Sequence, residues 1–165
     1  MKTRALLASF ALLAAGTTLP TYHAYADTPK KSSKTDIYDE SLDGAKQITD
    51  AMVVAKKENK RILLQFGANW CGWCHRLHDL FKKNASIATK LKAGYVVVLI
   101  DVNKDHNQAT NAKYGSPTRY GLPVIVILAA DGTLLTTKDT NTFEENGAHS
   151  PQKVLQFLTD WTPKK

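Results

Sequence analysis

Apolar residues fall along this chain in two kinds of cluster, spaced or continuous, and the clusters define most of its elements. Ala45, Ile48, Ala51, Met52 and Ala55 recur at the spacing of one helix face, which predicts a helix from about Ser41–Asp43 to Asn59. Ile62 to Phe66 is instead a short, almost unbroken apolar run, as a strand covered on both faces requires. Leu77, Leu80 and Phe81 return to helical spacing and predict a helix to about Lys83, followed by a short helical turn over Ser86 to Lys92. Tyr95 to Val102 is rich in β-branched residues and reads as a second strand, and Asn107 to Tyr114 as a helix. Val124 to Leu128 is a third apolar strand, and Asp131-Gly132 is a turn signal leading into Thr133 to Thr137. Pro151 to Trp161 closes the pattern as a helix, with Ser150 as N-cap, Pro151 at its first position and Val154, Leu155 and Leu158 inward. The order βαβ, helix, β-hairpin, helix predicts an α/β domain with a central mixed β-sheet flanked by helices.

The N-terminal pattern is of another kind. Lys2 and Arg4 precede an apolar stretch from Ala5 to Ala15 broken only by Ser9, and Ala24-Tyr25-Ala26 supplies small residues for cleavage. The stretch is short of the roughly 20 residues that span a bilayer. Residues 1–26 are therefore read as a signal peptide cleaved after Ala26, which predicts a periplasmic or secreted protein without stable membrane insertion. Residues 27–42 are polar, carry no apolar periodicity and are read as a flexible segment. Residues 43–162 are left as one domain, long enough for a single core. All 15 acidic residues and all but two of the 22 basic ones lie beyond Ala26, interleaved along the chain. No stripe of basic and aromatic residues marks a nucleic-acid surface.

The candidate chemistry is concentrated in Trp70-Cys71-Gly72-Trp73-Cys74-His75, which holds both cysteines of the chain. Two cysteines separated by two residues, between a strand and a helix, have the spacing of a thiol–disulfide redox centre. A purely structural staple fits poorly, because so short a loop removes little entropy from the unfolded chain. Cys71 at a helix start would face unpaired N–H groups and the positive end of the helix dipole, with His75 and Arg76 one turn on. Cys74, a turn into the helix, would be less exposed. That asymmetry assigns attack to Cys71 and resolution to Cys74. Trp70 and Trp73 flank the thiols; Trp70 suits core and site equally, and Trp73 is expected to be exposed. Cys71 to His75 also spells C-x-x-C-H, the c-type haem signature. Haem would need a second axial ligand, and Met52 lies on an expected core face, leaving His78, His106 or His149. A zinc site from Cys71, Cys74 and His78 lacks a fourth ligand, so no metal is expected.

The run from Ile62 to Cys74, with Tyr114-Gly115-Ser116-Pro117-Thr118-Arg119-Tyr120-Gly121-Leu122-Pro123-Val124 downstream, resembles the strand, active-site loop and proline loop of the thioredoxin family. The resemblance implies a thioredoxin-like fold and a redox-active Cys71–Cys74 disulfide with no further cofactor. It implies that Pro123 is cis and packs against the disulfide, and that Leu122 offers its backbone to an extended substrate. Trp70, Gly72, Trp73, Leu122 and Pro123 then form the substrate-binding set. The implied function is an exported thiol–disulfide oxidoreductase, monomeric, acting on protein or small-molecule disulfides and favouring reduction, with a membrane electron donor as one means of recycling. A redox-inactive binding module of the same fold is the alternative. Two positions depart from the family: Gln65 stands where a buried aspartate is usual, and Leu99 where a lysine often pairs with it. Thr140 to Ser150 also exceeds a minimal thioredoxin and is read as a surface connection in preference to a loop beside the substrate. The side chain of His75 is read as an exposed helix residue.

Overall fold

The computed structural model of the chain describes residues 36–164. The proposed signal peptide, and the flexible segment as far as residue 35, lie outside the described residues. Helix α1 (Gly44–Glu58) begins at Asp43, whose side chain accepts from the Lys46 N–H at 2.9 Å, and ends at Asn59 in the left-handed region. Strand β1 (Arg61–Gly67) follows, buried from Ile62 onward. Helices α2 (Gly72–Lys83) and α3 (Ala85–Gly94) then lead to strand β2 (Tyr95–Asp101). The two helices meet at Asn84, which ends one and caps the next through its side chain, 3.1 Å from the Ile87 N–H. The segment expected to make only a short turn over 86–92 is thus a full helix, because the side-chain cap lets it nucleate directly after α2.

Beyond β2 come a short 3-10 turn, helix α4 (Gln108–Lys113), strand β3 (Val124–Leu128) and strand β4 (Leu134–Asp139). A second 3-10 turn (Pro117–Tyr120) lies between α4 and β3, and a third (Thr140–Phe143), with a hairpin of two-residue strands, β5 (Glu144–Glu145) and β6 (Ala148–His149), precedes helix α5 (Pro151–Asp160). The main sheet has the order β2-β1-β3-β4, with β1 parallel to β2 and antiparallel to β3, and β3 antiparallel to β4. It is the mixed sheet flanked by helices that the pattern predicted.

The alternation of side chains along β1 and β3 divides the interior. Ile62, Leu64 and Phe66 of β1, with Val124, Val126 and Leu128 of β3, face Ile48, Ala51 and Ala55 of α1. Leu63, Ile125 and Ile127 point the other way, against Leu77, Phe81, Ile87, Leu91, Val154, Phe157 and Leu158 from α2, α3 and α5. Ala45, placed inward by the periodicity, is exposed instead, since the buried stripe of α1 passes through Gly44, Ile48, Ala51 and Ala55. A larger side chain at Gly44 would crowd Asn107, since a β-carbon there would sit 3.0 Å from its Oδ1.

Candidate active site

The loop between β1 and α2 sets the geometry. Cys71 is the N-cap residue of α2, with φ −81° and ψ 101°, and its Sγ accepts from the Cys74 N–H at 3.1 Å. The two cysteines form a disulfide with their α-carbons 5.2 Å apart. Cys74 is wholly buried and Cys71 retains 5 % exposure, so whatever reaches this bond reaches Cys71 first. Helix α2 therefore aims its unpaired N-terminal dipoles at the outer sulfur, which favours a thiolate there over one at Cys74.

The proposed substrate-binding residues differ in exposure, and of them Trp73 and Leu122 pack against the Cys71–Cys74 cluster. Trp70 is 69 % exposed, and its indole Nε1 donates to Asn103 Oδ1 at 3.1 Å, so it stands out from the surface and not in the core. Gly72 is exposed at the first turn of α2. The Leu122–Pro123 peptide bond is cis, Pro123 is buried and its carbonyl accepts from the Thr140 hydroxyl. Leu122 is half-buried and packs against the cluster of Cys71, Cys74 and Tyr38. Just before it, Gly121 takes φ 93°, a conformation that glycine adopts without strain.

Trp73 is not exposed as expected. It is half-buried, with the Arg76 guanidinium 4.7 Å above its ring centroid and the His149 imidazole edge-on at 5.0 Å. The cause is the segment 140–150, which is no plain connection. Its small hairpin packs on α2, where Arg76 Nη1 donates to the Gly147 carbonyl at 3.3 Å. Burial, with the Arg76 charge as a smaller contribution, holds His149 below the ordinary histidine range; the Trp73 backbone and Glu144 offset only part of this. His75 is half-buried and commits Nε2 to the Asn69 carbonyl at 2.8 Å. The haem reading fits poorly with this arrangement, since the two sulfurs are joined to each other and the imidazole is engaged. Among the described residues no three His, Cys, Asp or Glu side chains cluster as a metal site.

The inner side of the disulfide holds residues that sequence reasoning missed. Residues 36–42, expected to be flexible, reach the site: Tyr38 is buried and packs with Cys71 and Cys74. Asn69 fixes it there. Its Oδ1 accepts from the N–H groups of Ile37 at 3.0 Å and Tyr38 at 2.9 Å, and its Nδ2 donates to the Tyr38 carbonyl at 2.9 Å. Gln65, fully buried, donates from Nε2 to Tyr38 Oη at 2.7 Å and to the Cys74 carbonyl at 3.3 Å. Burial pushes the Tyr38 hydroxyl far above the ordinary tyrosine range; the Gln65 hydrogen bond opposes that shift and the charge of Asp101 adds to it. Asp101, paired in register with Gly67, is itself buried and accepts from His106 Nδ1 at 2.9 Å. No local signal marks Tyr38, which sits in a polar stretch 31 residues before Asn69.

Comparison with known proteins places these features in context. Residues 48–160 match the family model described as a thioredoxin-like domain. Thioredoxin of Bacillus subtilis is 30 % identical over 113 residues, covering 68 % of this chain and 91 % of that protein. Protein disulfide isomerase-like 2-2 of Oryza sativa subsp. japonica is 43 % identical over 58 residues, covering 35 % of this chain. The match takes in only 15 % of that rice protein's length. Among solved structures, a disulphide isomerase from Xylella fastidiosa Temecula1 superposes with a TM-score of 0.68 at 30 % identity, covering 78 % of this chain and 98 % of the other.

Proposed function

This chain belongs to the thioredoxin-like family, and from that premise we propose that it is an exported thiol–disulfide oxidoreductase that reduces disulfides through Cys71 and Cys74. The observation that carries the reading is the asymmetry of the pair. Cys71 caps α2 at the surface end of the bond, and Cys74 lies wholly buried behind it. A Cys71 thiolate at the helix start attacks a substrate disulfide, and Cys74 then displaces the substrate from the mixed disulfide. Trp70 and Gly72 offer exposed surface on one side of the sulfur, and the backbone of Leu122 offers strand-like pairing on the other.

The reducing direction is supported by how little holds the thiolate. A strong oxidant owes its potential to a stabilised reduced form with a very low cysteine pKa. Among the described residues the hydrogen bond to Cys71 Sγ is a single backbone N–H, the residues between the cysteines are uncharged, and His75 is turned to Asn69. Modest stabilisation of this kind supports a reducing couple. Export rests on the sequence of residues 1–26, and an electron donor at the membrane would then regenerate the dithiol.

The test is a redox titration of the protein against graded thiol buffers, with alkylated and unalkylated forms separated by mass. The expected potential lies near the roughly −270 mV of thioredoxin. A potential near roughly −120 mV would overturn the reductase direction, and no reversible transition would overturn the oxidoreductase reading. Mass analysis of protein recovered from the periplasm tests export, with cleavage after Ala26 as the expected result.

A further inference from the structure

Cys74 must lose its proton before it can displace a substrate from Cys71, and the fold buries it completely. Gln65 beside it has no proton to exchange at ordinary pH. The same spot nevertheless holds one hydroxyl. A β-carbon built on Gly67 would collide with Tyr38 Oη and would lie 2.7 Å from Cys74 Sγ, so both atoms close over the bare α-carbon of Gly67 from one side. Gln65 Nε2 fills an acceptor site on that hydroxyl. Its own O–H hydrogen makes no other hydrogen bond among the described residues in the disulfide state. Asn69, two residues before Cys71, clamps the Ile37–Tyr38 backbone and so fixes where the ring enters.

We propose that the Tyr38 hydroxyl, oriented by Gln65, donates a hydrogen bond to the Cys74 sulfur when the disulfide is open and so stabilises the resolving thiolate. The proposal rests on the oxidoreductase reading above. In the first step Cys71 S⁻ attacks one substrate sulfur: the Cys71–substrate bond forms, the substrate S–S bond breaks, and the other substrate sulfur leaves as a thiolate. Cys74 gives its proton, through water or directly, to that thiolate. Its own thiolate, held by Tyr38, then attacks Cys71 Sγ; the protein disulfide closes and the second substrate thiolate leaves to take a solvent proton. Two electrons pass from the protein dithiol to the substrate, and Tyr38 keeps its proton throughout. Its strong preference for the neutral form, set by burial and reinforced by Asp101, suits a donor that must not ionise. The other titratable groups about this spot are Cys71, Asp101 with His106 behind it, and His75, which is engaged with Asn69. Tyr38 packs in one cluster with Cys74 and would donate to its sulfur once the disulfide opens; Gln65 is a positioning residue.

The experiment mixes the fully reduced protein with 5,5′-dithiobis(2-nitrobenzoate) and follows release of thionitrobenzoate in two phases. The first is bimolecular and reads Cys71; the second is unimolecular and reads Cys74. Tyr38→Phe keeps the ring and removes the hydroxyl. Its second phase is expected to slow by roughly tenfold and its pH midpoint to rise, as loss of a hydrogen bond to a charged group implies, while the first phase stays within about twofold. Gln65→Leu, which leaves Tyr38 intact but unheld, is expected to shift the second phase in the same sense by less, and it serves if Tyr38→Phe fails to fold. An unchanged second phase in Tyr38→Phe, or both phases slowed alike, overturns the role of the tyrosine. A parent protein that releases only one equivalent overturns the oxidoreductase reading, and this proposal with it.

Discussion

The Trp73 indole and the His149 imidazole meet edge-on, with 5.0 Å between ring centroids, and join the middle of the C-x-x-C sequence to a hairpin more than seventy residues away. His149 is also edge-on to Phe143 at 6.5 Å, and neither of its ring nitrogens has a hydrogen-bond partner of good geometry. The imidazole therefore serves as an apolar wall, which holds only while it is neutral.

That condition makes stability depend on pH. The folded pKa of His149 lies below its unfolded value of 6.5, chiefly because burial disfavours the charged ring. Between the two values the unfolded chain binds the proton that the folded chain refuses, so stability is full above about pH 6.5 and is lost as pH falls toward the folded pKa. Thermal melts of the parent protein and His149→Phe between pH 8 and pH 5 provide the check. The parent is expected to lose melting temperature more steeply below about pH 6.5, since the phenylalanine variant has no such proton to take up. His78, also held below its ordinary range by burial first and Lys82 second, is common to both and cancels in the comparison.

Serine variants separate the two sulfurs by role. Cys74→Ser retains the attacking thiol at the start of α2 but removes the group that would displace a bound substrate. It is expected to accumulate a mixed disulfide that survives denaturation and disappears on reduction, read as an added mass. Cys71→Ser leaves only the wholly buried thiol and is expected to form no adduct on the same timescale.

The parts of this architecture with a local cause were legible in the sequence. Ile62–Phe66 and Val124–Leu128 read as central strands because both faces of each are covered, which leaves an almost unbroken apolar run. The Cys71–Cys74 disulfide was legible because the spacing of the pair carries it, and the cis Leu122–Pro123 bond through resemblance to a known loop. Tyr38 was not legible: apart from Ile37 the residues around it are polar, and its burial depends on Asn69 and Gln65, 31 and 27 positions away. Trp73 was misread for the same reason, since its cover comes from His149. Side-chain periodicity reports the face a residue shares with its own element, not a partner delivered from a distant one.

Asn69 makes the hold on the N-terminal segment measurable. Asn69→Ala removes the acceptor of two backbone N–H groups and the donor to the Tyr38 carbonyl. Leaving such groups without partners is expected to cost about 1–3 kcal/mol of unfolding free energy. Hydrogen exchange gives the sharper readout, with the Ile37 and Tyr38 amides losing protection while those of β1 keep it. Asn69→Asp retains the acceptor but turns a carboxylate oxygen toward the Tyr38 carbonyl and Glu40 in place of the donor, so the two amides are expected to keep more protection than in the alanine variant and less than in the parent.

The two glycines near the cysteines are expected to respond oppositely to the same added methyl group. At Gly72 a β-carbon meets nothing within 4 Å, and its position at the start of α2 is helical. Gly72→Ala is therefore expected to unfold within about 0.5 kcal/mol of the parent, as a surface change without a clash. At Gly67 the same methyl collides with Tyr38 Oη and lies 2.7 Å from Cys74 Sγ, in a place closed by Gln65 and the register with Asp101. Overpacking there is expected to cost about 1–3 kcal/mol. The ring of Tyr38 is the group with most freedom to yield, because it enters on the segment before α1 and not on the sheet. Gly67→Ala should therefore raise hydrogen exchange at the Ile37 and Tyr38 amides as well as lowering the denaturation midpoint. A Gly67→Ala protein with parental stability and parental exchange at both amides would show that Tyr38 does not close over Gly67 in solution.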